Sequence, residues 1–177
     1  MLTRKVILEC RGSVEGLFVA ADLGVLVCGL NPSLVSADAG FGFARATNRF
    51  WPCAVDAGLV SLARDPWHLV EHDAVGMTDL VKRATARADG LTGEEYAAGA
   101  KRVERLVRWL RPRTVLFVGL SGWRAAIDRH ATAGWQAQGF GGAAAYVMPS
   151  TSGVNGHASR AALTEHIRLA SEATWTR

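Results

Sequence analysis

Val25-Leu26-Val27-Cys28-Gly29-Leu30, running into Asn31-Pro32-Ser33, is the stretch on which the fold turns. A half-exposed strand alternates polar and apolar residues; an unbroken apolar run closed by Gly and Asn-Pro is the pattern of a strand buried on both faces. Two runs of the same kind follow, Thr114 to Val118 and Ala143 to Met148, the second stopped by Pro149. Helical segments lie between them. Asn48-Arg49-Phe50-Trp51 opens one that runs to about Gly58, a suitable stop. Thr92 and Glu95 form a capping box, with Leu91 and Tyr96 placed for a hydrophobic staple, so a helix starts at Gly93 and ends before Pro112. Its Tyr96, Ala100, Val103, Leu106, Val107 and Leu110 share one face, and Lys101, Arg105 and Arg108 fall elsewhere. Ser121 to His130 and His157 to Ala173 read as the remaining helices.

Strands alternating with helices predict a three-layer α/β/α sandwich with a short central, mainly parallel sheet and right-handed crossovers. In such sheets the ligand site lies beyond the carboxyl ends of the strands. Asn31 follows one strand end and Pro149-Ser150-Thr151-Ser152-Gly153 another, so two loops far apart in sequence can meet there. The segment from Asn31 to Thr47, which carries Phe41 and Phe43, is longer than most connections and is a functional-loop candidate.

A length of 177 residues with 49% apolar content suits one domain spanning 1–177. The apolar Val6-Ile7-Leu8 is interrupted by Glu9 and Arg11 before a signal-peptide core forms. No other apolar run approaches the roughly 20 residues of a bilayer span, so a cytoplasmic protein with no membrane partner is expected. Cys10, Cys28 and Cys53 form no C-x-x-C pair and suggest neither a disulfide framework, a zinc knuckle nor an iron-sulfur cluster. His68 and His72 at helical spacing have no convincing third ligand in the sequence, so no metal and no cofactor are expected. The formal net charge of +4 permits a polyanionic partner without demanding one.

Seen alone, Gly29-Leu30-Asn31-Pro32-Ser33 is a strand-ending turn, Phe43 a core aromatic, and Ser150 to Gly153 a polar connection to the last helix. Their company changes the reading. Gly29-Leu30-Asn31-Pro32-Ser33-Leu34, Gly40-Phe41-Gly42-Phe43-Ala44 and Asn48-Arg49-Phe50-Trp51 together resemble the first active-site region of the mismatch-specific uracil-DNA glycosylases, relatives of thymine-DNA glycosylase. Gly76-Met77-Thr78-Asp79-Leu80-Val81 resembles that family's central Gly-x-Thr segment, and Val147-Met148-Pro149-Ser150-Thr151-Ser152-Gly153 its second motif. The resemblance covers roughly Gly24 to Ala170 and leaves residues 1–22 outside.

The resemblance implies a monofunctional DNA glycosylase with the uracil-DNA glycosylase fold, a monomer acting on double-stranded DNA that holds a damaged or mismatched base. Breaking the bond to a flipped base builds positive charge on the sugar and negative charge on the base, and a fixed polar site must stabilise both. The resemblance gives Asn31 the attacking water, held on its side-chain carbonyl. An amide orients water but is a poor general base beside Asp, so excision should be slow and depend on the leaving base, favouring uracil, ethenocytosine or deaminated purines. Thr78 is a helper near sugar or water, or an ordinary strand-end threonine. Phe43 would stack on the base, a contact worth about 1–3 kcal/mol; backbone groups near Leu30 and Phe43 would read its edge, and Ser36 would face its C5 side. Ser150, Ser152 and Gly153 belong to the loop that would grip phosphates and the orphaned partner base, and Val154 to the wedge filling the vacated space.

Three departures from the family pattern predict a shifted substrate range and DNA grip. Ser33 stands in place of a glycine, Val154 is a small wedge, and Asn155-Gly156-His157 lacks an adjacent arginine. His157 either meets a phosphate or begins the last helix, and Lys82, Arg83 and Arg87 either meet the DNA backbone or form a solvated turn. No lysine occupies a motif position suited to Schiff-base chemistry. The alternatives are a DNA- or nucleotide-binding module of the same fold with little excision activity and, more weakly, a hydrolase of free nucleosides.

Overall fold

In the computed structural model, which describes residues 23–154, 156 and 158–172, β1 (Val25–Gly29) is buried at every position, as its unbroken apolar run requires. It pairs in parallel with β2 (Val75–Asp79) on one side and β3 (Thr114–Val118) on the other. Next to β3 lies parallel β5 (Ala143–Met148), and β4 (Gly134–Phe140) runs antiparallel along its outer edge, giving the order β2-β1-β3-β5-β4. The three continuous apolar runs are thus the inner strands. β2 and β4 carry weaker patterns: Gly76 and Asp79 dilute the first, and the second is the half-exposed Gly134-Trp135-Gln136-Ala137-Gln138 of an edge strand.

Alternation along each strand splits the core into two layers. Val25, Val27, Val75, Met77, Leu116 and Met148 face α2 (Phe50–Asp56), α3 (Pro66–Glu71) and α6 (Arg160–Ser171). Leu26, Cys28, Val115, Phe117, Ala145 and Val147 face α4 (Gly93–Leu110) and α5 (Leu120–Ala126). The α4 capping box is formed: Glu95 N–H donates to Thr92 Oγ1 at 3.2 Å, and Thr92 N–H to the Glu95 carboxylate at 2.8 Å. Val103 and Val107 are its fully buried residues within the expected apolar face.

Some boundaries move. The long loop after Asn31 contains α1 (Leu34–Ala39), capped by the Ser33 side chain and stopped by Gly40 in the left-handed region at φ 78°. α5 stops at Ala126, before Asp128 turns the chain by accepting the His130 N–H at 2.9 Å. α6 begins at Arg160 because Ser159 is its N-cap; His157 lies outside the described residues. No helix among the described residues is long and apolar enough to cross a membrane.

Candidate active site

β1 sends the chain to β2 on one side while β3 lies on the other, and at such a switch of direction a parallel sheet opens a crevice beyond its carboxyl ends. A cleft of about 210 Å³ lies at this end of the sheet, lined by the continuations of β1, β2, β3 and β5: Leu30 to Ser33, Asp79, Val118 and Ser150 to Ser152. Ser36, Gly42 and Phe43 from the first loop, Asn48, and Thr85 to Ala88 complete it. Leu30, Asn31, Ser36, Phe43, Ser150 and Ser152 are therefore brought together around one cleft.

The orientation of Asn31 is set by its neighbours. Its Nδ2 donates to Arg83 O at 3.1 Å, Pro32 O at 3.3 Å and Thr85 Oγ1 at 2.7 Å. Two of these are carbonyl oxygens, which only accept, so the amide cannot be turned over. Oδ1 is left to accept from a water or ligand in the cleft. Thr85 is itself fixed through its N–H to Pro32 O at 3.1 Å. The segment that carries both partners is anchored by Arg83, whose guanidinium meets Glu95 at 2.6 Å and Gly90 O at 2.8 Å. That bond to Arg83, with the Thr92 N–H, holds the Glu95 carboxyl well below its usual range. Arg83 is thus engaged in the protein, and Arg87, on the cleft rim, lies 3.4 Å from Asp89.

Phe43 has left-handed backbone geometry, φ 58°, uncommon for an aromatic residue and typical of functional loops. This turns its ring onto Phe50, centroids 4.3 Å apart and nearly parallel, so one face is covered while the residue still lines the cleft. Trp51 Nε1 donates to Gly42 O at 3.0 Å and pins the loop just before it. Ser36 is buried; its hydroxyl accepts Ala44 N–H at 3.2 Å and lies 3.1 Å from Ser33 Oγ. Ser33 Oγ accepts the Ser36 N–H, so the serine that replaces the expected glycine caps α1 from the cleft wall. The Leu30 carbonyl accepts Val81 N–H at 2.9 Å and is committed to the backbone.

The second loop is tied to the first by Arg49, whose role no local sequence pattern signals. Arg49 N–H donates to Thr151 O at 3.0 Å, and its guanidinium reaches Ala158 O at 2.5 Å and Ser152 O at 3.4 Å. Ser150 Oγ accepts Ser152 N–H at 3.2 Å, giving the turn its shape. Gly153 packs against Thr47, where a Cβ would lie 2.8 Å from the Thr47 carbonyl oxygen, and neither Gly153 nor Val154 lines the cleft. Val154 stands 89% exposed, an apolar side chain in solvent next to the site.

β2 delivers Asp79, not Thr78, to the cleft. Thr78 is buried, opposite Cys28, and its hydroxyl meets no partner among the described residues. Asp79 pairs in register with Gly29, and its carboxyl lies over that glycine. A Cβ at Gly29 would collide with Asp79 Oδ1 and come within 3.3 Å of Phe43 Cζ. Burial pushes the Asp79 carboxyl up to about 6, against the opposing pull of Lys82 and Arg102.

A mainly parallel sheet with an oriented amide, a stacked aromatic and a half-buried carboxyl at its carboxyl edge belongs to an enzyme-like α/β domain with a site for a flat polar ligand. The chain belongs to the uracil DNA glycosylase superfamily, whose family model matches residues 16–172. It is thus a glycosylase of the kind that hydrolyses the base–sugar bond in DNA repair.

Proposed function

We propose that this chain is a mismatch-specific, monofunctional member of that superfamily, releasing uracil and related damaged bases from double-stranded DNA by water attack. The observation that carries the proposal is the Asn31 amide, whose nitrogen is held by three acceptors so that Oδ1 is presented to the cleft that Phe43 also lines. Asn31 holds the water at the sugar; Phe43 stacks on the extruded base; Ser36 stands near its C5 side. Ser150, Ser152 and Gly153 set the DNA backbone, and Val154 enters the space the base leaves. An amide adds little basicity, so the leaving base must carry its own negative charge, and uracil does so better than cytosine or adenine.

The test is a duplex panel carrying uracil, ethenocytosine, hypoxanthine or thymine opposite G or A, read by alkaline cleavage after incubation. Strand breaks at uracil opposite G are expected. Retained duplex binding with no break at any lesion would instead identify a binding module, and turnover of free nucleosides with little salt dependence would identify a small-molecule hydrolase.

Thr85 is a positioning residue in this scheme. Thr85→Val keeps the shape but deletes the strongest acceptor of Asn31 Nδ2, a loss of about 1 kcal/mol, or roughly five-fold, in the chemical step. Single-turnover release from a G·U duplex should slow while the duplex concentration giving half-maximal rate stays put. Thr85→Ser should restore the rate, and a rate equal to the parent in Thr85→Val would remove Thr85 from the scheme.

A further inference from the structure

The surplus positive charge of the chain is concentrated on one segment. Residues 101–113, the second half of α4 and its link to β3, hold six lysines and arginines and one acid, Glu104, a net +5 against +4 for the whole chain. Gly99, Val103 and Val107 are buried on the inner face of α4, and Lys101, Arg105 and Arg108 lie on the opposite, exposed face within about 10 Å of helix axis. Arg111 and Arg113 continue the row past the helix end, and Trp109 stands 46% exposed among them. Arg108 meets Glu104 at 2.6 Å; Lys101, Arg105, Arg111 and Arg113 form no ion pair among the described residues. Such a row opposes the helix that carries it. Lys101 with Arg105, and Arg108 with Arg105 and Arg111, set like charges three or four residues apart, which destabilises a helix. Arg111 also takes the left-handed C-cap at φ 52°, a place that glycine fills without steric cost. The negative end of the helix dipole compensates cations at the last turn, and so reaches neither Lys101 nor Arg105.

We propose that this face of α4 is a second DNA-binding surface, which holds the backbone of another duplex segment while the cleft engages its own. α4 starts beside the cleft, where Glu95 holds Arg83, and ends at the opposite edge of the sheet, where Thr114 N–H meets Gly24 O at 3.2 Å by the amino end of β1. Trp109 lies about 24 Å along the axis from Gly93, so a duplex engaged at the cleft leaves this face open. A polyanion with one charge per roughly 1.7 Å of its axis is the partner that a straight row of one sign complements, and a protein of this superfamily works among such polyanions. Lysine and arginine neutralise phosphates whatever the sequence, and the exposed Trp109 adds an apolar face for the sugars between them. A chain held through α4 on one segment passes its cleft to a neighbouring segment without leaving DNA. The surface is separate from the chemistry at Asn31, so it acts on undamaged DNA and does not depend on which base is released.

The test mixes the full chain with two short undamaged duplexes, one carrying a donor dye and the other an acceptor. At about 50 mM salt, energy transfer between the duplexes is expected, and sedimentation should find two duplexes on one chain. Three phosphate contacts correspond to a second site roughly forty-fold weaker at about 200 mM salt. Lys101→Gln/Arg105→Gln/Arg113→Gln should bind one duplex as the parent does and lose the second, with a melting temperature no lower than the parent's. Lys101→Arg/Arg105→Lys/Arg113→Lys, which keeps the charge, should bind both. Fewer than two duplexes per chain in the parent, or energy transfer that persists in the neutralised variant, overturns the proposal while leaving base excision standing. So does a complex of two chains with two duplexes, in which the bridge is a protein dimer. An oligoglutamate that binds this face of the parent more tightly than a duplex of equal charge also overturns it, and identifies an acidic protein as the partner.

Discussion

Asn31→Ala releases uracil from a G·U duplex about 10²–10⁴-fold more slowly than the parent, the range for removing a positioned proton-handling or water-orienting group, while binding the duplex almost as tightly. The two halves of this expectation have different sources. Affinity for DNA comes mainly from phosphate contacts, and Asn31 lies inside the cleft with its nitrogen turned toward Arg83 O and Thr85 Oγ1. Stability should change little, since the contacts to Arg83 and Thr85 reach the surface and water can replace the lost amide. Asn31→Asp is the informative companion. A carboxylate is the stronger base, yet one of its oxygens would face the Pro32 and Arg83 carbonyls, acceptors against an acceptor. It is therefore expected to stay below the parent at neutral pH. Single-turnover kinetics and a binding titration of the same proteins check both statements, and full-rate release by Asn31→Ala would remove Asn31 from the chemistry.

How far this site could be read from the sequence depends on which features are local. β1, β3 and β5 are continuous apolar runs, and the Thr92–Glu95 capping box is complete in four residues, so all were legible. The meeting of Asn31 with Ser150 followed from both lying just past strand ends. Asp79 and Thr85 had no such signal. Asp79 matters because its strand pairs with β1 in a register that sets it opposite Gly29, and a shift of one residue would present Thr78 instead. Thr85 matters because it lies beside Ser33 in an isolated parallel bridge, a contact between segments fifty-two positions apart that no periodicity encodes. The bulk missing at Gly29 was the available clue: a glycine at the end of a buried strand marks a close approach, here by a carboxyl. Arg49 stands within the Asn48-Arg49-Phe50-Trp51 block, but its clamp on Ser152 and Ala158 exists only once both loops are in place.

Gly99→Ala should lower the melting temperature, although alanine is the better helix former. Gly99 is buried where α4 crosses the chain leaving β2, and a Cβ there would collide with the Leu80 carbonyl oxygen and lie 2.9 Å from its carbonyl carbon. Both atoms are backbone and cannot rotate away. Nor is that backbone free to retreat, because Leu80 N–H donates to Gly29 O at 2.8 Å and Val81 N–H to Leu30 O at 2.9 Å. The helix must therefore lift. Overpacking of this kind costs about 1–3 kcal/mol or somewhat more, whereas alanine's helix propensity returns roughly 1 kcal/mol. A net loss of up to about 2 kcal/mol corresponds to a fall of up to roughly 4–8 °C in a domain of this size. Gly93→Ala, in the first turn of the same helix with nothing within 4 Å of its Cβ, is the control and should melt no lower than the parent. Lifting α4 also moves the Arg102 guanidinium away from the Asp79 carbonyl, and Glu95 away from the Arg83 that anchors the partners of Asn31. Gly99→Ala should consequently lose excision activity at temperatures where it is still folded. A melting temperature equal to the parent's would show that α4 does not rest on Leu80, and full activity with a lowered melting temperature would separate the helix from the site.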